Sequence, residues 1–434
     1  MKKSVLQKSV LAFLMILGAA FTFSAAYPGF MSPDSLDQYQ QALSGKYTDW
    51  HPPVMAWIWH QLLCLHNGPQ PMLLLNTLLF WGAVAIIAFR IRNFALSLVF
   101  TLCSFAPCLL NFLGVIWKDS LLLSLLFLLT ALLYHLSDKP LKPFYRAIAV
   151  LFVTCLCLLA ILIRYNAAAA VAPLLGALMY YQYPSKSLWK PLLYAFGLTG
   201  VLWLAAEKIN TNLCKGKSMH PEQQLMVYDL MGVASATHKN IFPEYLKNKL
   251  TLDKLPKVYY PCDGALFVIF NMGCTASSEA QFEALSHCWR NQVLHHPVHV
   301  IRHKKRSFMC LIRESSLKTF PFIHPNPYGF HVNTDNPAYR LFIRYTENRF
   351  AYKLYSAWIY LAICVVVCCA SLVRLLYQKV TSAALPSCIS LSGLLYCLAY
   401  FFLSPCNDLR YNYWTYGAGF LGAVLLINSF LRQK

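Results

Sequence analysis

The chain has 434 residues, 58% of them hydrophobic and only 12% charged, and its mean hydropathy is +0.46. That balance excludes an ordinary soluble protein and marks a polytopic α-helical membrane protein. The formal net charge of +20 would suit nucleic acid, but the basic residues gather at the ends of apolar runs and form no nucleic-acid module, so anionic head groups and phosphates are the expected partners.

The first apolar run, 8–27, follows Lys2, Lys3 and Lys8 and reads as an uncleaved anchor with the N-terminus in the cytoplasm. A cleaved signal peptide processed near Ala25-Ala26-Tyr27 is the alternative, although the run is long for one. A polar stretch from Ser32 to Pro53 comes next. Pro33 predicts the first turn of a helix, which places Asp34 and Asp37 on one face near its positively polarised end. Capping and dipole compensation are the plainer reading of the same carboxylates. Pro52 and Pro53 predict a stiff exit that holds Asp49 and His51 beside the next apolar stretch. Residues 54–66 are too short to span and predict an interfacial helix with Trp57 and Trp59 at head-group level.

Further spans are expected at 71–89, 93–115, 117–136, 147–163, 167–183 and 189–206. Beyond a polar region at 207–352 come 353–373, 383–403 and 412–431, for about ten in all. The expected organisation is an N-terminal membrane region (1–206) whose first outer loop is 28–53, an extracytoplasmic domain (207–352) and C-terminal membrane helices (353–434). From an inside N-terminus, Arg90, Arg92, Lys139, Lys142, Arg146, Lys186, Lys190, Arg374, Lys379, Arg432 and Lys434 all fall in the cytoplasm, which satisfies the positive-inside rule and puts the C-terminus there too.

The same assignment has a second consequence. Outside 207–352 the acidic residues are Asp34, Asp37, Asp49, Asp119, Asp138 and Asp408, and all but Asp138 are predicted on the outer side. Lys118, Arg164, Asn166 and Arg410 join them there. Four outer loops thus bring charged groups to the ends of long apolar spans, where such groups usually mark a site. Taken singly, Lys118-Asp119 and Asp408-Leu409-Arg410 also read as surface or structural pairs, and Arg164 with Asn166 as a leaflet anchor.

Region 207–352 carries the turn signals Pro261-Cys262-Asp263-Gly264 and Asn326-Pro327-Tyr328-Gly329 and reads as an α-rich or α+β domain. Residues 279–318 predict two helices broken at Pro297. His295, His299 and His303 recur every four residues, but the break and the lack of a nearby carboxylate argue against a metal. Lys304-Lys305-Arg306 reads as a solvated or head-group-facing patch. The sixteen cysteines show no zinc-ligand spacing. Those outside the apolar segments, Cys214, Cys262, Cys274, Cys288, Cys310 and Cys406, are able to pair if that side is oxidising, with connectivity left open. Nucleotide-loop, dinucleotide, nucleophile-elbow and zinc-protease motifs are all missing.

An acidic residue just after the first span, then Gln38-Tyr39-x-x-Ala42-x-x-Gly45 and His51-Pro52-Pro53, resembles the GT-C superfamily of membrane glycosyltransferases. Its members include bacterial polyprenyl-phosphate-sugar-dependent enzymes and protein O-mannosyltransferases. Lys118-Asp119, Arg164-Tyr165-Asn166, Asp408-Leu409-Arg410-Tyr411 and the Trp289…His296-Pro297…Arg302 run are similar to positions of the bacterial branch. The resemblance implies inverting transfer of a sugar from a lipid-phosphate donor to a glycan, lipid or protein acceptor at the extracytoplasmic face. It implies a general base in the first outer loop, which matches Asp34; Ser35 stands where the mannosyltransferases carry Glu, so Asp37 and Asp49 remain contenders. The phosphate would be met by Lys118, Arg164 and Arg410, with His51, Asp49, Asp119, Asn166, Asp408 and Tyr411 as further binding residues. A divalent cation, magnesium or manganese, on Asp37 or Asp119 is optional. The absence of any Asn-x-Ser/Thr sequon points to a bacterial inner membrane. A non-catalytic transporter or flippase of lipid-linked glycans is the competing expectation, weakened by the lack of an internal repeat and of a mid-membrane charge.

Overall fold

The computed structural model describes residues 2–138, 140–184, 189–216, 218–262, 266–313, 317–404 and 406–432. Lys139, Lys186, the Asp263-Gly264 turn and Lys434 lie outside them. In chain order the helices are α1 (Lys2–Ala26), α2 (Pro33–Ser44), α3 (Val54–Leu62), α4 (Gln70–Arg90), α5 (Phe94–Cys103), α6 (Pro107–Leu110), α7 (Lys118–Leu136), α8 (Pro143–Ile163), α9 (Ala167–Gln182) and α10 (Trp189–Leu213). There follow α11 (Gln223–Thr237), α12 (Glu244–Lys247), α13 (Leu255–Val258), α14 (Leu266–Asn271), α15 (Glu279–His295), α16 (Pro297–Arg313), α17 (Pro337–Thr346), α18 (Arg349–Leu354), α19 (Ala357–Leu376), α20 (Ala384–Leu403) and α21 (Tyr413–Leu431). Extended structure among the described residues is limited to two isolated bridges, Phe30 with Val115 and Met31 with Ile323.

Among the described residues eight helices are long and apolar enough to cross a membrane, namely α1, α4, α7, α8, α10, α19, α20 and α21. The chain is a polytopic α-helical membrane protein. Two expected spans differ from this picture. Residues 93–115 are not one helix: α5 stops at Cys103, Pro107 opens the single turn of α6, and 111–117 is irregular. A proline has no N–H to continue the ladder and its ring clashes with the preceding turn. Residues 167–183 form α9, whose 16 residues give about 24 Å at 1.5 Å per residue, less than the usual hydrocarbon thickness. The expected head-group pair also splits, for Trp57 is exposed while Trp59 is fully buried against Tyr39 and donates its indole N–H to the Gly68 carbonyl at 3.0 Å.

Helix α7 lies at the centre, against α4, α8 and α21, and α20 packs between α9 and α21 with α19 alongside. Charged groups sort to the two ends of this bundle. At one end Asp138 accepts from Arg90 at 2.7 Å and from Arg432 at 3.0 Å, and Arg146 donates to the Gln182 carbonyl at 3.1 Å. At the other end lie Asp34, Lys118, Arg164 and Arg410. Membrane-crossing segments leave their ionisable groups where water or partners can reach them.

The polar region beyond α10 has two parts. Residues 226–289 close a small core of their own around Tyr228, Met231, Leu246, Ile269 and Leu285, with Trp50 of the first loop packed on it. Leu311, Phe320, Phe342 and Tyr355 instead join the membrane core. Cys262 and Cys310 form a disulfide, and Cys214, Cys274, Cys288 and Cys406 are free.

Some helix contacts leave no room for a Cβ and run through glycine. A Cβ on Gly393 would sit 2.5 Å from Ala418 Cβ and 3.3 Å from Cys364 Sγ, whereas one on Gly82 would meet nothing within 4 Å. We expect Gly393→Ala to destabilise by about 1–3 kcal/mol through overpacking. Gly82→Ala should be neutral or mildly stabilising. Thermal unfolding of the detergent-solubilised variants measures both.

Candidate functional site

The first outer loop is fixed before any charge is considered. The Phe30 N–H donates to Gly114 O at 3.0 Å and Ile116 N–H to Phe30 O at 2.9 Å, while Met31 exchanges bonds with Phe322 and His324 at 3.1 and 2.8 Å. Residues 30–31 are therefore clamped between the segment leading into α7 and the polar region. Ser32 then caps α2 in a capping box with Ser35, Pro33 fills the first turn, and Gly45 ends the helix at φ 64, a left-handed geometry that favours glycine. Trp117 Nε1 donates to Ser32 Oγ at 2.6 Å and Ser35 Oγ to Ile116 O at 2.8 Å. These bonds set Asp34 in the first turn of α2, directly beside the start of α7.

Asp34 meets the Arg410 loop directly and the Lys118 loop through His51 of its own loop. Its Oδ2 accepts from Arg410 Nη1 at 2.8 Å, and Arg410 Nη2 lies 3.1 Å from Asp408 Oδ2. The Arg410 guanidinium rests 4.6 Å over the Trp117 ring, a cation–π contact in a partly desolvated setting. On the other side of Asp34, His51 Nε2 stands 3.6 Å from Oδ1, beyond direct bonding distance. Lys118 Nζ is 2.8 Å from His51 Nδ1. With Lys118 as an ammonium, which has only donors, Nδ1 is assigned as the acceptor and the imidazole proton to Nε2, facing the carboxylate. Arg164 pairs with buried Asp119 and lies 5.1 Å over Tyr411.

Burial works against ionisation of Asp34, but the Arg410 charge, with His51 and Lys118 behind it, outweighs burial and holds the carboxyl well below its usual value. Burial pushes the His51 pKa down, and the Lys118 charge adds to this against the pull of Asp34. His51 is thus a neutral link between a cation and an anion.

These groups line one cavity of about 1380 Å³, large enough for a drug-sized or larger ligand. Asp34, Asp37, Asp49, His51, Lys118, Arg164, Asn166, Arg410 and Tyr411 all border it. Asp37 accepts from Gln41 at 2.7 Å. Asp49 faces the cavity while accepting from Ser218 Oγ at 2.5 Å and Met219 N at 2.6 Å, which ties the first loop to the polar region. Asp119 and Asp408 stand behind Arg164 and Arg410 as their counter-ions. Trp117, Phe320 and Tyr400 also line the cavity as an aromatic floor, and Gln223, Gln224 and Thr275 as its roof; of these the sequence reading missed Tyr400 and the three polar residues. Trp117 adjoins the flagged Lys118, so its place was signalled; Tyr400 looked like any aromatic near the end of a span.

Comparison with family models, with curated proteins and with solved structures finds no match to this chain.

The depressed pKa values carry a sign. In the folded state His51 binds fewer protons than in the unfolded chain below its ordinary 6.5, so its contribution is complete above that pH and is lost as pH falls toward the folded value. Asp34 behaves likewise from 3.8 downward. Between pH 7.5 and 5.5 His51 responds and Asp34 does not, while His220, whose pKa Glu279 and Glu222 raise, works in the opposite sense in wild type and variant alike; we therefore expect the melting temperature of the wild type to fall more than that of His51→Gln. Equal slopes for the two would contradict the assigned charge state.

Proposed function

We propose that the chain is a GT-C-like glycosyltransferase that takes a sugar from a polyprenyl-phosphate-linked donor and passes it to a glycan, lipid or protein acceptor at the extracytoplasmic face. The observation that carries this reading is the convergence of Asp34, Lys118, Arg164 and Arg410, from four separate loops, on one cavity at the end of the membrane bundle. A lipid phosphate sits at that depth, and an aromatic floor beneath fixed cations suits a sugar above a leaving phosphate. The Cys262–Cys310 disulfide lies at the same end, which supports an oxidising outer compartment such as the periplasm. With that end outside, both termini are cytoplasmic and the chain passes ten times between faces, α9 and the broken 93–117 segment completing the eight long helices.

In this reading an acceptor hydroxyl attacks the anomeric carbon from the side opposite the phosphate. A carbon–oxygen bond forms, the bond to phosphate oxygen breaks, the electron pair leaves with the lipid phosphate, and the hydroxyl proton passes to Asp34. At rest Asp34 is a poor base because Arg410 holds one of its oxygens. The leaving phosphate gains negative charge as the bond breaks, draws the Arg410 and Lys118 donors, and so raises the basicity of Asp34 in the same step. A divalent cation does not fit Asp119, which is enclosed and already neutralised by Arg164, and no step is routed through one.

Asp34→Asn should lower transfer by about two or more orders of magnitude, the usual size of a general-base contribution, while donor binding persists. Lys118→Ala and Arg164→Ala should weaken donor binding instead. Purified protein incubated with radiolabelled lipid-phosphate sugars and a lipid-extract acceptor gives both readouts. Near wild-type transfer by Asp34→Asn would remove the base assignment, and lipid-glycan movement without transfer would favour a flippase.

A further inference from the structure

Helix α16 presents a sequence of faces that its packing makes interpretable. Lys304 and Phe308 touch the end of α20, the first donating Nζ to Phe402 O at 3.0 Å and the second with its ring 5.7 Å from Phe401. The helix therefore lies at the level where α20 leaves the membrane. At about 100° per residue, the next positions around the cylinder are Ile301, Lys305 and Val298, of which Ile301 and Val298 are 59% and 64% exposed and Lys305 is exposed as well. Beyond them come Arg302 and Arg306, both exposed, and then His303 and Ser307, buried against the polar region's own core. Around the helix the order is thus membrane-helix contact, an exposed apolar strip crossed by Lys305, the two arginines, domain core.

That order is the one a helix lying in the plane of a bilayer surface requires, since the apolar strip adjoins the lipid-exposed flank of α20, the two arginines sit one step toward water, and Lys305 within the strip has a stem long enough to carry its ammonium to the head groups. Leu398 and Phe402 on that flank are 50% and 65% exposed, so the strip continues an existing lipid-facing surface. Helix α17 repeats the arrangement beside α1. Asn336 Nδ2 donates to Ser24 O at 2.8 Å and Tyr345 OH to Phe105 O at 2.8 Å, while Leu341 is 58% exposed next to exposed Arg344.

We propose that α16 and α17 are two in-plane helices that seat the polar region on the leaflet bordering the cavity, with Arg302, Lys305 and Arg306 bound to anionic phospholipid head groups. The seat does not depend on the chemistry assigned to the cavity. It gives the polar region a fixed height above the membrane, and with it a fixed position for the cavity roof.

The test replaces Val298, Ile301 or Leu341 by the photocrosslinking residue p-benzoylphenylalanine in the full chain, reconstituted in vesicles of phosphatidylcholine with and without phosphatidylglycerol. Glu283 on α15, whose packing partners are α11 and α16, is the control position. Phospholipid adducts detected by mass spectrometry should be at least about fivefold more abundant at 298, 301 and 341 than at 283, and those at 298 and 301 should be enriched in phosphatidylglycerol. Substituting Arg302, Lys305 and Arg306 together by Gln should reduce that enrichment at 301 by about fivefold or more, the scale set by a cation near an anionic surface. Adduct yields at 298 and 301 no higher than at 283 would overturn the seat. Equal capture of the two lipids would overturn the head-group assignment.

Discussion

The site is organised around one guanidinium. Arg410 stands between Asp34 and Asp408 and over the face of Trp117, and so joins the first loop, the entry to α7 and the entry to α21 in a single contact. Groups 376 positions apart in the chain meet there. An ion pair taken out of water stabilises little or nothing net, because desolvation offsets most of the attraction. Removing one partner is a different matter, since it strands the other charge. The pair therefore acts less as glue than as a constraint on which arrangements of the loops are tolerated.

The supporting bonds around it are mostly backbone, and they come before the charges. Residues 30–31 are held on both sides by main-chain hydrogen bonds, the α2 cap is completed by Ser32 and Ser35, and Trp117 reaches Ser32 through its indole. Arranging donors and acceptors in this way puts the first turn of α2 beside the start of α7 whether or not Asp34 is ionised. A carboxylate carried on such a turn has little freedom to move when its counter-ion is drawn away. That is what a proton acceptor needs, because reorganisation during the reaction would cost most of what positioning contributes.

Much of this was legible from residue types alone. Pro33 and Gly45 bracket α2 as their backbone preferences require, and Pro297 divides α15 from α16. Grouping the charges by side of the membrane brought Asp34, Lys118, Arg164 and Arg410 together because sidedness is a property of apolar run lengths, which a sequence displays openly. Pairing was not legible. Nothing local to Asp119 says that it serves Arg164, or to Asp49 that it reaches Ser218, since each depends on how helices remote in sequence pack. The 93–115 run shows the opposite limit, for its composition suits a span while Pro107 interrupts it. Trp59 likewise suited a membrane boundary by type and was drawn inward by a carbonyl its indole could reach.

Lys118 differs from the other two cations in a way that bears on any anionic ligand. Arg164 has Asp119 and Arg410 has two carboxylates, but among the described residues no carboxylate lies within ion-pair distance of the Lys118 ammonium. Its partner is the neutral His51 ring. A ligand phosphate arriving at Arg410 must displace an existing pair and gains only the difference, whereas one arriving at Lys118 displaces a hydrogen bond to an uncharged acceptor. The first electrostatic gain therefore falls at Lys118, and His51, released on that side, remains against Asp34. Sequence neighbours Lys118 and Asp119 are thus split between two tasks, one left open toward the cavity and the other closed behind Arg164.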